Sequence, residues 1–174
     1  GGSNALIKNP IKNHGVFSAI TFSYVFTTIL SFLAVVFFST IIIPTANTLL
    51  LLLAAIFVGA IAILSFFMAV NEGELSIVAP FANLSAVVTI IISILFLGES
   101  LGFLQIFGAA ILIFFGIIIA INKGDIKNFE KGIFYASATI IGWGIYYSLL
   151  KPLIAELGAY NTTFYIESGI FLII

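Results

Sequence analysis

The stretch that decides the fold is residues 13–71, NHGVFSAITFSYVFTTILSFLAVVFFSTIIIPTANTLLLLLAAIFVGAIAILSFFMAVN. Its 59 residues carry no charged side chain, although one helical crossing of a bilayer takes only about 20 apolar residues. The whole chain of 174 residues is 62% hydrophobic and 7% charged, whereas a soluble domain usually has about 25% charged residues. Surface-to-volume scaling prevents a water-soluble globule from hiding that much apolar surface. The composition therefore predicts an integral membrane protein in contact with the lipid bilayer.

Charge and residue usage exclude several other classes of protein. The formal net charge is −1, so the chain offers no electrostatic attraction for a polyanion and we expect no nucleic-acid partner. There is no cysteine, and the single histidine has no second ligand beside it, so we predict no metal site and no cofactor. No phosphate-binding loop or nucleophile elbow is present, which makes an enzyme the weaker alternative.

Five uncharged stretches, and a sixth apolar one whose single acid is Glu167, predict membrane helices, because in lipid every backbone N–H and C=O must be satisfied inside its own segment. They are 16–43, 48–70, 75–97, 101–121, 133–150 and 162–174. Most links are short, which forces consecutive helices to lie antiparallel. The longest link, 122–132, reads NKGDIKNFEKG and is the best boundary between two halves. The predicted fold is an all-α, polytopic membrane helical bundle.

An internal repeat at an offset of 143 residues sets the domain organisation. Leu6-Ile7-Lys8 recurs as Leu149-Leu150-Lys151, and Gly15 matches Gly158. The unit contains five helices, and an odd unit repeated in a membrane returns upside down, as in many secondary transporters. We therefore predict a first repeat at 1–121 with most of its first helix missing, a link at 122–132, and a truncated second repeat at 133–174. The missing helices of a ten-helix (5+5) protein would be the partners of this fragment.

The residues that carry a family resemblance lie mainly in 66–121 and 142–151. They are Ala69, Pro80, Leu97-Gly98-Glu99, Gln105, Gly108, Gly116, Gly142-Trp143-Gly144 and Lys151. In this order and spacing they resemble the EamA-type repeat of the drug/metabolite transporter superfamily. The resemblance implies a permease of two inverted five-helix repeats that moves small metabolites or drugs. Ser100 stands where the family often has a basic residue, and the second helix has no arginine, so no substrate class is implied.

Glu167 is the sharpest single feature of the sequence. It lies inside the last apolar segment, where a carboxylate at the centre of a span costs about 2.5–3.5 kcal/mol on insertion scales. An ionisable residue at such a position suggests either a proton-coupling group or a partner for a substrate ammonium. The structural alternatives are snorkelling to the interface or neutralisation by protonation. At the offset of 143, Glu167 corresponds to Tyr24.

Five further residues are candidates for lining a substrate site, each with a structural alternative. Tyr24 and Thr28 belong to a polar stripe with Thr21 and Ser31, whose hydroxyls can equally bond to the backbone of their own helix or join helices together. Asn83 follows Pro80, where an interrupted helix could expose a carbonyl for binding, or form only a kink. Trp143 and Tyr147 form an aromatic face near mid-span, suited to an organic cation or to core packing.

Together these features predict a transporter of small molecules that works by alternating access and leaves its substrate chemically unchanged. A non-transporting membrane scaffold that assembles through small-residue faces is the second possibility. A membrane-embedded enzyme acting on a lipid-linked substrate is the third. The excess of lysine over arginine and the frequent Ile, Phe and Asn suggest a microbial genome, and we expect the plasma (inner) membrane of a bacterium or archaeon.

Overall fold

The computed structural model describes residues 2–73, 75–98, 100, 102–122 and 130–174, and it contains six helices in this part of the chain. They are α1 (Gly2–Phe38), α2 (Ala46–Glu72), α3 (Leu75–Ala82), α4 (Ser85–Leu97), α5 (Phe103–Asn122) and α6 (Glu130–Ile173). Within these residues, four helical stretches are long and apolar enough to cross a membrane: Gly15–Phe38, Ala46–Glu72, Val78–Leu97 and Gly132–Ile173. The chain is an all-α bundle of membrane-spanning helices, as the composition predicts.

Helix α6 is two helices that fold back on each other at Gly158, where φ is 72° and ψ is 162°. We call its segments α6a (130–157) and α6b (159–173). In one straight helix, Tyr146 and Ile170 would lie about 36 Å apart, at 1.5 Å per residue. Instead, a Cβ atom at Gly59 of α2 would lie 3.2 Å from the ring of Tyr146 and 2.9 Å from Ile170 Cδ1. The two segments therefore run antiparallel along the same side of α2.

The same backbone conformation interrupts α1 at Gly15, where φ is 84° and ψ is 166°. The segment that follows it, 16–38, is called α1b. It packs antiparallel to α6b, because the ring of Phe32 contacts Phe164 while that of Phe38 stacks on Tyr160. Such positive φ values favour glycine, which has no Cβ atom to collide with the backbone. Both reversals thus occur at positions where the sequence supplies the one residue that adopts them without strain.

Helix α2 lies at the centre of the bundle, and its interface with α6 is the most extensive one. One core cluster joins the end of α2 to α1, α3 and the start of α6a, and includes Ile20, Val70 and Val78. A second joins the first half of α2 to both segments of α6, and includes Leu52, Leu153, Ile166 and Ile170. Tyr24 packs against both clusters. Its phenol is therefore held at the point where the two halves of the core meet.

The predicted stretch 16–43 is too long, because α1 ends at Phe38 and residues 39–45 are not helical. Pro44 has no N–H and disfavours helical geometry at the residue before it. Thr45 then caps α2, and its hydroxyl accepts a hydrogen bond from the N–H of Thr48 at 3.3 Å. The sequence shows no charge across this link, which is why composition alone extends the helix through it.

Three other predicted helices also differ from the structure in where they begin, end or break. The stretch 75–97 is divided at Asn83 and Leu84, where i→i−3 backbone bonds replace helical ones on both sides of the turn. The predicted helix 133–150 continues past Pro152 to the reversal at Gly158, since an internal proline removes only one backbone donor. The last segment begins at residue 159 instead of 162. Most of the predicted link 122–132 lies outside the described residues.

The outer surface of the bundle is apolar, as a surface facing lipid must be. Phe22 is 68% exposed, Leu50 68%, Phe96 80% and Phe103 80%. Soluble monomers rarely expose contiguous patches of such residues, whereas hydrocarbon chains solvate them without cost. Exposed large side chains of this kind suit a surface in contact with hydrocarbon.

Glycines set the closest helix contacts, since apolar residues gain little from leaving lipid and helices associate there by tight packing. A Cβ atom at Gly144 of α6a would lie 2.4 Å from Cβ of Val88 and 3.3 Å from the carbonyl oxygen of Ser85. The carbonyl of Gly144 also accepts a bond from the hydroxyl of Thr89 at 3.2 Å. By contrast, a Cβ atom at Gly108 of α5 would have no neighbour within 4 Å.

We expect Gly144→Ala to destabilise the protein by about 1–3 kcal/mol, the usual cost of overpacking a close contact. The neighbouring atoms are a Cβ and a backbone oxygen, which cannot move aside as a side-chain tip can. Gly108→Ala is the matched control, and we expect it to be neutral or to stabilise by about 0.5–1 kcal/mol through helix propensity. The measurement is thermal unfolding of the purified protein in detergent micelles, expressed from its complete reading frame. Equal effects of the two substitutions would contradict the close contact of α4 with α6a.

Candidate functional site

Five polar side chains come together between α1b, α6a and α6b, and we call them the tyrosine–carboxylate cluster. They are Tyr24, Thr27, Tyr146, Tyr147 and Glu167. Tyr24, Tyr146 and Glu167 are half-buried, whereas Thr27 and Tyr147 are exposed. The hydroxyl of Thr27 donates to the carbonyl of Tyr24 at 3.2 Å, and Glu167 is close enough to the phenols of Tyr24 and Tyr146 to interact with them electrostatically. Tyr147 interacts in the same way with the other two phenols.

Three separate segments build this cluster, and the reversal at Gly158 is what brings them together. Tyr24 and Thr27 lie on α1b, the two adjacent tyrosines on α6a, and Glu167 on α6b. Tyr146 and Glu167 are 21 residues apart in sequence, yet they meet because α6b returns alongside α6a. Tyr146 also packs against Gly59 of α2, which leaves room for its ring. The site therefore depends on the tertiary fold and not on any local motif.

An aromatic wall extends the cluster toward the end of α2. The indole ring of Trp143 lies 6.4 Å from the ring of Tyr147 and 5.1 Å from that of Phe66. Tyr146 and Tyr147 follow with a centroid separation of 5.2 Å. Trp143 is partly buried and Tyr147 is 43% exposed, so the wall runs from the packed interior to an accessible edge. Rings so arranged offer polarisable faces next to the one carboxylate of the cluster.

Of the six residues proposed from the sequence, four lie in the cluster or in its aromatic wall: Tyr24, Trp143, Tyr147 and Glu167. Thr28 lies one turn from Tyr24, and its hydroxyl oxygen is buried without a hydrogen-bond partner among the described residues. Asn83 is exposed at the turn between α3 and α4, where its backbone N–H bonds to the carbonyl of Ala79 at 3.2 Å. No contact in the described part of the chain joins Asn83 to the cluster.

Thr27 and Tyr146 are members of the cluster that the sequence reasoning did not select. Tyr146 lies three residues after Trp143, so both project from one side of a helix. Thr27 lies three residues after Tyr24 in the same relation. The spacing was thus available in the sequence, but only the position of Glu167 shows which side of each helix faces the site.

A polar latch lies at one end of α6b, beyond the cluster. It consists of Asn161 and the residues of the 39–45 link to which it binds. The amide nitrogen of Asn161 donates to the carbonyl of Thr40 at 2.9 Å and to the hydroxyl of Ser39 at 3.2 Å, and its oxygen accepts from the N–H of Ile42 at 3.2 Å. Tyr165 donates to the carbonyl of Ile42 at 2.9 Å. The non-helical link is therefore tied to the segment that carries Glu167.

A second contact of the same region joins the start of α2 to the end of α6a. The hydroxyl of Thr48 donates to the carboxylate of Glu156, and Thr48 also bonds to the hydroxyl of Thr45 at 2.7 Å. Glu156 lies two residues before the reversal. Its carboxylate binds a hydroxyl at the start of α2, which indicates a structural role at a helix end. These bonds tie α2 to α6a, while the latch ties α6b to the link that joins α1b and α2.

Apolar helices long enough to span a bilayer, with one half-buried carboxyl group near phenols of two other segments, define a polytopic membrane protein with an ionisable site between its helices. The model of the EamA-like transporter family matches residues 1–122, well over half of the chain. The chain belongs to this family, whose members are transporters of the drug/metabolite transporter superfamily and not enzymes. Neither a curated protein nor a solved structure matches the chain.

We expect Asn161→Ala to destabilise the protein by about 1–3 kcal/mol, because it removes a buried amide that bonds to the N–H of Ile42 and the carbonyl of Thr40. Thr163→Ala is the matched control, since Thr163 is exposed two residues away and bonds only to the carbonyl of Ala159 in its own helix. Thermal unfolding in detergent micelles measures both effects. An unchanged midpoint for Asn161→Ala would show that the latch does not hold the link.

Proposed function

We propose that the protein moves a small organic metabolite or drug across the plasma membrane of a bacterium or archaeon. Two inverted five-helix halves would alternate access to a site between them, and the substrate would cross chemically unchanged. The observation that carries the proposal is the tyrosine–carboxylate cluster, because an ionisable group within a membrane-spanning segment is by default a candidate for a functional role. The family to which the chain belongs supports transport as that function.

Two pairs of residues, each 143 positions apart, support the division into two repeats. They are Gly15 with Gly158, and Tyr24 with Glu167. Gly15 and Gly158 have closely similar backbone dihedrals, and the segments that follow them, α1b and α6b, pack antiparallel. Copies related by a two-fold axis in the membrane plane would pack in this way. The family match ends at residue 122, which fits a first repeat at 1–121, a link at 122–132 and a second repeat from 133.

The same symmetry supports a position for the site at the middle of the membrane. Tyr24 and Glu167 occupy equivalent positions of the two proposed repeats, and they interact with each other. Equivalent residues that meet must lie close to the axis that relates them, and in an inverted repeat that axis runs along the midplane of the bilayer. Substrate sites of inverted-repeat transporters lie at this depth.

Within this site we propose that Tyr24, Trp143, Tyr147 and Glu167 contact the substrate directly, together with Thr28, whose buried hydroxyl is free of protein partners among the described residues. Asn83 remains a proposed lining residue on the strength of the interrupted helix alone. Thr27, whose hydroxyl donates to the carbonyl of Tyr24, would lie beside the carboxyl group without contacting the substrate. The two equivalent positions carry different groups, a phenol in one repeat and a carboxyl group in the other. The two halves would therefore make different contacts with one substrate.

We expect Glu167→Gln to lower the rate of transport by about tenfold or more, which corresponds to about 1.4 kcal/mol of lost interaction. The substitution keeps the size of the side chain and its acceptor oxygen but removes the charge. Transport is measured by comparing metabolites inside and outside cells that carry the complete reading frame or an empty vector, over a range of pH. Tyr24 and Tyr146 are the titratable groups that interact with Glu167.

Glu72→Gln is the control, because Glu72 is an exposed acid at the end of α2 and lies outside the cluster. Its transport should equal that of the unsubstituted protein when both are present in the membrane at equal amounts. If Glu167→Gln transports at the same rate and with the same pH dependence, the cluster is not the substrate or coupling site. If no metabolite differs between cells with the reading frame and cells with the vector, the proposal of transport itself fails.

A further inference from the structure

Resting on the proposed transport function, we propose that the polar latch between Asn161 and the 39–45 link is a gate at one side of the membrane. The structure holds this gate closed. It opens when the link and α1b move away from α6b, which exposes the interface between these two helices to water. The inference gives a role in transport to hydrogen bonds that lie outside the candidate site.

The contacts at this end of the bundle join the first proposed repeat to the second. Asn161 and Tyr165 of α6b hold the backbone of the link through hydrogen bonds of 2.9–3.2 Å. Phe38, at the end of α1b, stacks on Tyr160 with ring centroids 5.9 Å apart. The bond between the start of α2 and the end of α6a joins the same two halves. The two halves can separate here only if these contacts break.

The latch lies between one surface of the bundle and the level of Glu167. Asn161 precedes Glu167 by six residues in α6b, which corresponds to about 9 Å along a helix. The side chain of Asn161 is 1% exposed, whereas Thr40 and Ile42 of the link that covers it are exposed. The link is therefore a strap across the start of α6b, and its displacement opens a route from this surface toward the interior.

Two hydroxyl groups between α1b and α6b favour opening. The rings of Phe32 and Phe164 lie 5.7 Å apart, and one helical turn further along the two antiparallel helices lie Thr28 and Ser168. The hydroxyl oxygens of both are buried without a hydrogen-bond partner among the described residues, whereas Thr162 bonds to a carbonyl of its own helix at 2.9 Å. A buried hydroxyl without a partner costs free energy that contact with water returns. The latch therefore holds the interface closed against this cost.

The first proposed repeat does not carry the side chains that form the latch. At the offset of 143 residues, Asn161 corresponds to Ser18 and Tyr165 to Phe22. Serine has no amide that can donate and accept at the same time, and phenylalanine has no hydroxyl. The equivalent contact at the opposite side of the membrane thus lacks these bonds. We therefore expect the protein without substrate to favour the conformation that is closed at the latch.

A single introduced thiol can report opening, because the sequence contains no cysteine. Ser168→Cys is placed in protein from the complete reading frame, with any cysteine outside this sequence replaced by serine. The rate of its reaction with a charged methanethiosulfonate reagent is measured in detergent micelles. Tyr165→Phe removes one bond of the latch and keeps the ring, and we expect it to raise this rate about threefold or more. Asn161→Ala removes more bonds and should raise the rate further.

Matched controls separate the latch from general loosening of the helix. Tyr160→Phe and Thr163→Ala change neighbouring residues of α6b that do not bond to the link, and we expect the labelling rate to stay within about twofold. Thr28→Cys, on the facing helix, is a second reporter and should respond to the latch variants in the same way. Labelling that neither Tyr165→Phe nor Asn161→Ala accelerates would overturn the inference, and so would equal acceleration by the controls.

A reversible cross-link tests the gate during transport. Phe38→Cys with Tyr160→Cys is joined by a short bifunctional methanethiosulfonate, which should lower transport about tenfold or more until dithiothreitol releases it. The control joins Phe103→Cys with Phe107→Cys, a stacked pair within α5 whose ring centroids lie 6.2 Å apart. Full transport with the gate cross-linked would overturn the inference. If the cells show no transport in any form, the proposed function fails, and the labelling rates still decide whether the latch controls opening.

Discussion

A chain that crosses a bilayer as helices can turn back only where the regular helix is interrupted, and α6 is interrupted at Gly158. The positive φ at this residue sends α6b back along α6a, and both segments then pack on α2. Asn161, three residues later, supplies side-chain bonds to the backbone of the neighbouring 39–45 link. Without this reversal, Glu167 would lie far from the tyrosines, and neither the second core cluster nor the site would exist.

The interior of the bundle combines two kinds of contact with different purposes. Glycines such as Gly59 and Gly144 allow helices to approach closely, and this packing supplies the association that lipid does not drive. The tyrosine–carboxylate cluster is a contact of a different kind, because it groups polar side chains from α1b, α6a and α6b. Close packing elsewhere in the bundle therefore allows a polar site to lie between these segments.

How much of this the sequence could predict differs between the helices and the site. The helices follow from apolar length, because hydrocarbon forces every uncharged stretch to satisfy its own backbone, and α2 at Ala46–Glu72 contains the whole of the predicted 48–70. Their ends are less certain from composition, as residues 39–45 show, since an uncharged link in contact with Asn161 has the same apolar character as a span. At Pro152 the prediction is too short instead of too long: the predicted stretch 133–150 ends before this proline, but the helix continues through it.

The residues of the candidate site also divide into those that the sequence could predict and those that it could not. Glu167 could be selected from sequence because an acid among apolar residues is conspicuous whatever it touches, and the offset of 143 pointed to Tyr24 as its counterpart. Thr27 and Tyr146 could not be selected, since hydroxyls and phenols are common in membrane helices and periodicity does not say which neighbour a face meets. The sequence by itself determined a helical membrane protein, its family and its one internal charge, because these depend on composition and spacing along the chain. Only the tertiary structure decided which residues surround that charge, because the return of α6b along α6a joins positions that no local pattern relates.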